Sequence, residues 1–209
     1  FNYYRVDYPP APSGQLTVTA ELTAVDGAPE GELELLIGIA SEARTNAERA
    51  PMNITLVLDT SGSMSGEPIE TLRECGRAIA GSLRDGDVIS MVTWNTSNAV
   101  VLDSLAVSGP DDPVLLGAIG QISAGGGTDL HGGLRAGYDQ ALKNHQPGRI
   151  DRVVLISDGG ANAGITDIDL IAEMAGGVDE DGVYLVGVGV GTPQSYRDER
   201  MDEVTAVGQ

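Results

Sequence analysis

The chain has 209 residues, with 31 acidic side chains against 12 basic ones, a formal net charge of −19 and 41% hydrophobic residues. That length can bury one good core with room for a small appended subdomain, and its longest apolar runs are far too short to span a bilayer. A field this acidic repels phosphate backbones and anionic headgroups, which argues against nucleic acid as a partner and against direct membrane insertion. It fits either plain solubility, including in a saline habitat, or attraction of cations. Cys75 is the only cysteine, so no intrachain disulfide can form and the redox compartment stays open. The chain starts on Phe1 with no initiator Met and no signal peptide, and reads as an excised piece whose targeting signal is not in view.

Residues 1 to 14 carry Phe1, Tyr3, Tyr4 and Tyr8, then Pro9, Pro10 and Pro12, which predicts an extended arm pinned by aromatic contacts. Leu16 to Leu22 alternates, Asp26-Gly27 turns, and Leu33 to Ile39 is a second apolar run, so a β-hairpin outside the main sheet is expected. Two strands bury too little alone, so they must lie on the main domain or on strands from elsewhere. Residues 41 to 52 are polar and end in Ala50-Pro51, a linker. The expected division is therefore an arm, hairpin and linker over 1–52 and a main domain over 53–209.

Ile54 to Leu58 is an apolar, β-branched run that reads as a buried strand, and it stops on Asp59-Thr60-Ser61-Gly62-Ser63-Met64. Pro68 suits a helix's first turn, and Ile69, Leu72, Gly76, Ile79 and Leu83 recur at steps of three and four. Cys75 lies beside that stripe and reads as core packing. Val88 to Trp94 and Ala99 to Leu105 read as strands, the second an antiparallel edge, and Asp111-Asp112-Pro113 caps a helix through Ile122. Glycines 125 to 127 lead to Thr128 and a helix over about 129–144 that buries Leu130, Leu134, Tyr138 and Leu142. Val153 to Ser157 is a second short apolar strand ending on an acid, Asp158. A loop with Gly159, Gly160 and Gly164, a helix near Thr166-Asp167, a strand over Val183 to Val190 and a last helix from about Tyr196 follow. Strands alternating with helices, with connections of a dozen residues or more, imply an α/β fold: a doubly wound, mostly parallel sheet covered on both faces. Ligands of such sheets sit at the carboxyl ends of the strands.

The chemistry follows from Asp59-x-Ser61-x-Ser63. Two hydroxyls and a carboxylate on one turn offer hard oxygens to one point, which suits Mg²⁺, and Gly62 lets the turn close tightly. This pattern resembles the metal-ion-dependent adhesion site of the von Willebrand factor type A domains, in which Asp-x-Ser-x-Ser works with a distant Thr and a distant Asp. Thr128, in Gly-Gly-Gly-Thr-Asp, and Asp158, in Leu-Ile-Ser-Asp-Gly, stand in the family's order, and the resemblance runs from about Asn53 to the end. It implies that Asp59, Ser61, Ser63, Thr128 and Asp158 hold Mg²⁺, with Mn²⁺ as a substitute, and that a protein partner donates an Asp or Glu to the remaining position. It also implies that the strands ending at Asp59 and Asp158 are neighbours where the winding reverses. The Tyr-Pro arm resembles the segment leading into bacterial members that carry an N-terminal extension. The family resemblance, and nothing else in the chain, favours the cell envelope or an extracytoplasmic place. The family pattern adds a final strand and helix after Gln209, so an uncovered sheet edge, open to self-association, is expected.

Catalytic readings do worse, and no enzyme activity is expected. Phosphohydrolases with a nucleophilic Asp need an acid two positions on, where Ser61 stands. A serine-hydrolase elbow would need serine between Gly62 and Gly66, where Met64 stands. Gly187-x-Gly189-x-Gly191 comes late in the chain and has Thr192 where the dinucleotide fingerprint wants glycine, so it reads as a strand end passing close to the site. The sequence identifies no nucleophile to pair with His131, which reads as a surface helix residue; His145 suits a helix end through the dipole alone. Trp94 reads as core or rim packing, with a partner-contacting hot spot as the other option. Two alternatives remain: a metal-dependent hydrolase or chelatase-type machine subunit, and a structural module with a metal-independent interface.

Overall fold

A computed structural model describes residues 8–24, 32–43, 45–159 and 182–191. The chain divides into two compact units, 1–49 and 50–209.

In the first unit, β1 (Leu16–Ala24) and β2 (Leu33–Ser41) pair antiparallel in unbroken register, from Leu16 opposite Ser41 to Ala24 opposite Leu33. Directly opposed residues share a face. One face therefore collects Leu16, Val18 and Leu22 with Leu33, Leu35, Ile37 and Ile39, all exposed. The other face carries the threonines, Glu21 and Glu34. Tyr8 of the predicted aromatic arm crosses Gly38, and its ring occupies the space a Cβ there would fill, 2.1 Å away. Residues 1–7 of that arm, the Asp26-Gly27 turn, and the helices predicted near Thr166-Asp167 and from Tyr196 lie outside the described residues.

The second unit is a five-stranded sheet in the order β5-β4-β3-β6-β7. Its strands are β3 (Met52–Asp59), β4 (Val88–Trp94), β5 (Asn98–Ala106), β6 (Ile150–Ser157) and β7 (Tyr184–Gly189). All neighbours run parallel except β4 and β5, so β5 is the antiparallel edge expected of a strand joined to β4 by a short polar turn. Helices α1 (Glu67–Ser82) and α2 (Pro113–Gly120) cover one face and α3 (Leu130–Lys143) the other. Among the described residues, no helix is long and apolar enough to cross a membrane.

The central strand β3 explains the two layers. Leu56 and Leu58 join Leu72 of α1 and Leu115 and Ile119 of α2, while Val57 faces the other way among Trp94, Leu134, Tyr138, Val153 and Leu155. Being covered on both faces is why β3 reads as a continuous apolar run. Trp94 is fully buried, so it is a core residue and makes no rim contact. Cys75 packs partly buried against the α1 layer, and burial pushes its thiol up, away from reactivity.

At the amino ends of the strands, buried carboxylates gather several of the polar groups. Asp87 accepts from Met52 N and Arg84 N, each at 2.8 Å. Buried Asn53 donates to the Ala141 carbonyl at 2.8 Å and to the Asp151 carboxylate. His145 Nδ1 lies 2.9 Å from Asp151 Oδ2, which corrects the expectation that the helix dipole alone suits it.

Helix α3 comes close to the sheet because it presents glycine there. A Cβ on Gly133 would lie 2.6 Å from Trp94 Cγ, and one on Gly137 would lie 2.3 Å from Val57 Cγ2. Gly137→Ala is therefore expected to lower stability by about 1–3 kcal/mol through overpacking, outweighing the ~1 kcal/mol that alanine gains in helix propensity. Gly117→Ala in α2, where a Cβ meets nothing within 4 Å, is expected to be neutral or stabilising. Urea unfolding of the two variants checks the contrast, and equal effects would contradict it.

Candidate metal site

The site begins where β3 leaves the sheet. Asp59 has no exposed surface, and both of its oxygens are held: Oδ1 accepts from Ser61 N at 2.9 Å and Oδ2 from Ser157 Oγ at 2.6 Å. Parallel register sets the second bond. Leu58 pairs with Ile156, so the next residues, Asp59 and Ser157, stand side by side. Ser157 Oγ also accepts from Gly159 N at 3.1 Å, which ties the start of the Asp158 turn to the same hydroxyl. Thr60 stays attached to β4, its N and Oγ1 donating to the Trp94 carbonyl at 2.9 and 3.0 Å.

Residues Gly62–Met64 form one 3₁₀ turn, closed by Met64 N to the Ser61 carbonyl at 3.1 Å and Ser65 N to the Gly62 carbonyl at 3.2 Å. Met64 is fully buried and anchors the turn in the α1 layer. The turn brings Ser61 Oγ and Ser63 Oγ within 3.1 Å of each other, Ser61 buried and Ser63 exposed. Gly62 lies in the tight turn expected of it and also serves a second need. Its N donates to the Gly126 carbonyl at 3.1 Å, and a Cβ would sit 3.3 Å from that oxygen, so glycine lets the second loop approach.

That second loop carries Thr128. Gly125 N donates to the Thr60 carbonyl at 2.8 Å, so the glycine run lies along the Asp59–Ser63 turn on two backbone bonds. Thr128 is half-buried, and Asp129 behind it caps α3, its Oδ1 accepting from Gly132 N at 3.0 Å. Asp158, nearly fully buried, follows β6, and its charge acts on Asp59. Val190 N donates to the Ser157 carbonyl at 3.0 Å, so the glycine-rich end of β7 does pass beside the site.

The sequence pattern of the von Willebrand factor type A domain matches residues 53–207. The chain belongs to that family. It is 33% identical over 175 residues to the uncharacterized protein YfbK of Escherichia coli, a match covering 83% of this chain and 30% of that protein. The chain spans about a third of the length of the first curated relatives it matches. Among solved structures, a von Willebrand factor type A protein from Catenulispora acidiphila superposes with a TM-score of 0.64 at 16% identity, over 99% of this chain and 46% of that one. The manganese-loaded TRAP protein of Plasmodium vivax superposes with a TM-score of 0.57 at 16% identity, over 92% of this chain and 67% of that one. At such identities the likeness is one of fold.

For a type A domain, the donor set can be tested against a small hard cation. Adjacent oxygens in an octahedral shell with bonds of ~2.0–2.1 Å lie about 2.9 Å apart, close to the 3.1 Å between the Ser61 and Ser63 hydroxyls. Among the described residues, no group of three or more His, Cys, Asp and Glu side chains is placed to hold a metal, so a site here depends on hydroxyls. The Ser61 and Ser63 hydroxyls thus have the spacing of two adjacent ligands of a small hard cation. Ser157 was missed in the sequence, although a hydroxyl one position before a strand-terminal acid, in register with Asp59, was the available signal. Its bond to Asp59 orients the carboxylate.

Burial raises the Asp59 carboxyl above the ordinary aspartate range; the Ser157 and Ser61 bonds oppose the rise and the Asp158 charge adds to it. The sign follows from linkage. The unfolded chain releases this proton first, so the contribution is favourable at low pH and is lost as pH rises through the folded-state value. Metal-free protein is therefore expected to lose stability relative to Asp59→Asn as pH rises upward from the ordinary aspartate range. Added Mg²⁺ should restore the parent and leave the variant unchanged. Urea unfolding across pH with chelator or Mg²⁺ checks this; parallel pH profiles for the two proteins would contradict it.

Proposed function

We propose that this type A domain is a cation-dependent protein-binding module. The family is one whose domains often serve metal-dependent adhesion and protein interaction. In this reading Asp59, Ser61, Ser63, Thr128 and Asp158 hold Mg²⁺, with Mn²⁺ accepted, and the partner contributes an Asp or Glu. The observation that carries it is the pair of hydroxyls 3.1 Å apart beside a carboxylate whose two oxygens are already oriented by Ser61 N and Ser157 Oγ.

The charge count supports the choice of partner. Two carboxylates and three neutral hydroxyls at most balance a divalent ion, so the bound cation supplies an electron-poor position for an external acid. Ser63 and the half-buried Thr128 lie at the accessible side, while Asp59, Ser61 and Asp158 are buried. Repulsion from the distributed charge of −19 is screened beyond about 8 Å at physiological salt, whereas contact with the cation is direct. The domain is proposed as a binder and not an enzyme because its described motifs assemble no nucleophile with a base. The manganese-loaded TRAP structure is a precedent in fold for a cation on this architecture.

Titration calorimetry with Mg²⁺ should give one site in the parent and at least about tenfold weaker binding in Ser63→Ala and Asp158→Ala, since each variant loses a ligand or a charge. The partner's chemistry can be probed with Mn²⁺-loaded protein. Acetate should displace metal-bound water and lower water-proton relaxation, and acetamide should not. Equal heats in parent and variants would sink the site, and equal responses to acetate and acetamide would sink the carboxylate-accepting role.

A further inference from the structure

The glycine loop that carries Thr128 cannot hold itself. Gly125, Gly126 and Gly127 have no side chains to pack, Gly126 adopts φ +87°, and glycine loses more conformational freedom on ordering than any other residue. Its position comes from outside. The Asp59–Ser63 turn fixes the early part of the loop through the Thr60 and Gly62 backbones. The later part, on both sides of Thr128, is fixed by the turn between β4 and β5.

That turn, residues 95–97, is shaped by Asn95, whose N donates to the Ser97 carbonyl at 3.1 Å and whose Oδ1 accepts from Ser97 N at 3.2 Å. The turn makes two bonds to the loop, and the first residue of β5 makes a third. Gly127 N donates to Thr96 Oγ1 at 2.6 Å, Asp129 N donates to the Asn95 carbonyl at 2.7 Å, and Asn98 Nδ2 at the start of β5 donates to Asp129 Oδ2 at 3.1 Å. The residues immediately before and after Thr128 are thus bonded to one turn. Asn95 Nδ2 also donates to Thr60 Oγ1 at 3.2 Å, which joins the same turn to the Asp59 segment.

The glycines are shaped around these side chains. A Cβ on Gly126 would lie 2.9 Å from Thr96 Oγ1 and one on Gly127 3.2 Å from it. A Cβ on Gly132 would lie 2.2 Å from Asn98 Nδ2. Backbone has been kept bare where the β4–β5 turn reaches in. Thr96 is itself exposed, so water could satisfy its hydroxyl, and Trp94 before it already supplies the core contact. The bond to Gly127 therefore contributes placement of the loop more than global stability.

We infer that Thr96 is a positioning residue for the cation site: its hydroxyl holds Gly127 so that Thr128 stands in register with Ser61 and Ser63. This rests on the cation reading proposed above. None of the five ligating residues includes it, and the β4–β5 turn has no other assigned part in that reading.

The test compares Thr96→Val, which keeps the shape and removes the acceptor, with Thr96→Ser, which keeps the hydroxyl. In metal-free protein, the Gly127 amide should exchange with solvent several-fold faster in T96V and at the parent rate in T96S, with thermal melting unchanged in both. With Mn²⁺ alone as probe, T96V should bind roughly three- to tenfold more weakly, as expected for one lost hydrogen bond, and T96S within about twofold of the parent. If T96V matches the parent in both readouts, the inference fails while the cation reading stands. If T96V loses Mn²⁺ only in proportion to a lowered melting temperature, Thr96 is a stabilising residue and the inference also fails. If the parent itself takes up no Mn²⁺, the cation reading fails and this inference falls with it.

Discussion

A carboxylate with no exposed surface at the end of the central strand is the constraint on which the rest of the domain depends. Burying an ionised acid is expensive unless it is paired and hydrogen-bonded, and Asp59 sits where two core layers meet. The surrounding structure answers that cost step by step. Parallel register sets Ser157 beside one oxygen, the chain turns back so that Ser61 N meets the other, and Met64 locks the turn from below. The bonds that orient the carboxylate also leave its charge close to that of Asp158, an arrangement that a cation would relieve.

The same constraint explains why the site is built mostly of backbone and small side chains. Thr60 is tied to β4, Gly62 admits the second loop, and the glycine run follows the turn on two main-chain bonds. Three segments distant in sequence meet because β3 has β4 on one side and β6 on the other. Loops leaving the carboxyl ends of β3 and β6 then face one another, as expected where the winding of an open α/β sheet reverses.

Much of this was legible in the residues. β3 read correctly as a buried strand because its apolar run is unbroken, and the edge character of β5 followed from its short connection to β4. Asp112 was placed at the start of α2 by the Asp-Pro step, and its carboxylate does accept from Val114 N and Leu115 N. What could not be read depends on distances between segments. Ser157 becomes a partner of Asp59 only once β3 and β6 are in register. Gly133 and Gly137 look like poor helix residues until Trp94 and Val57 are found against them. His145 found Asp151 across a gap of six positions at the amino end of the sheet, beyond any helix-end rule. The hairpin was legible as two strands, and one of its faces carries seven large exposed apolar side chains.

The measurement that goes most directly to the central claim is a crystal soaked in Mn²⁺ and recorded at the manganese absorption edge, with the anomalous difference density read without reference to any ligand set. The proposed role of the Asp59 turn requires one strong peak among the side chains of Ser61, Ser63, Thr128 and Asp158. A peak elsewhere on this acidic chain, or none at saturating Mn²⁺, would show that the oriented carboxylate and its paired hydroxyls serve the fold alone.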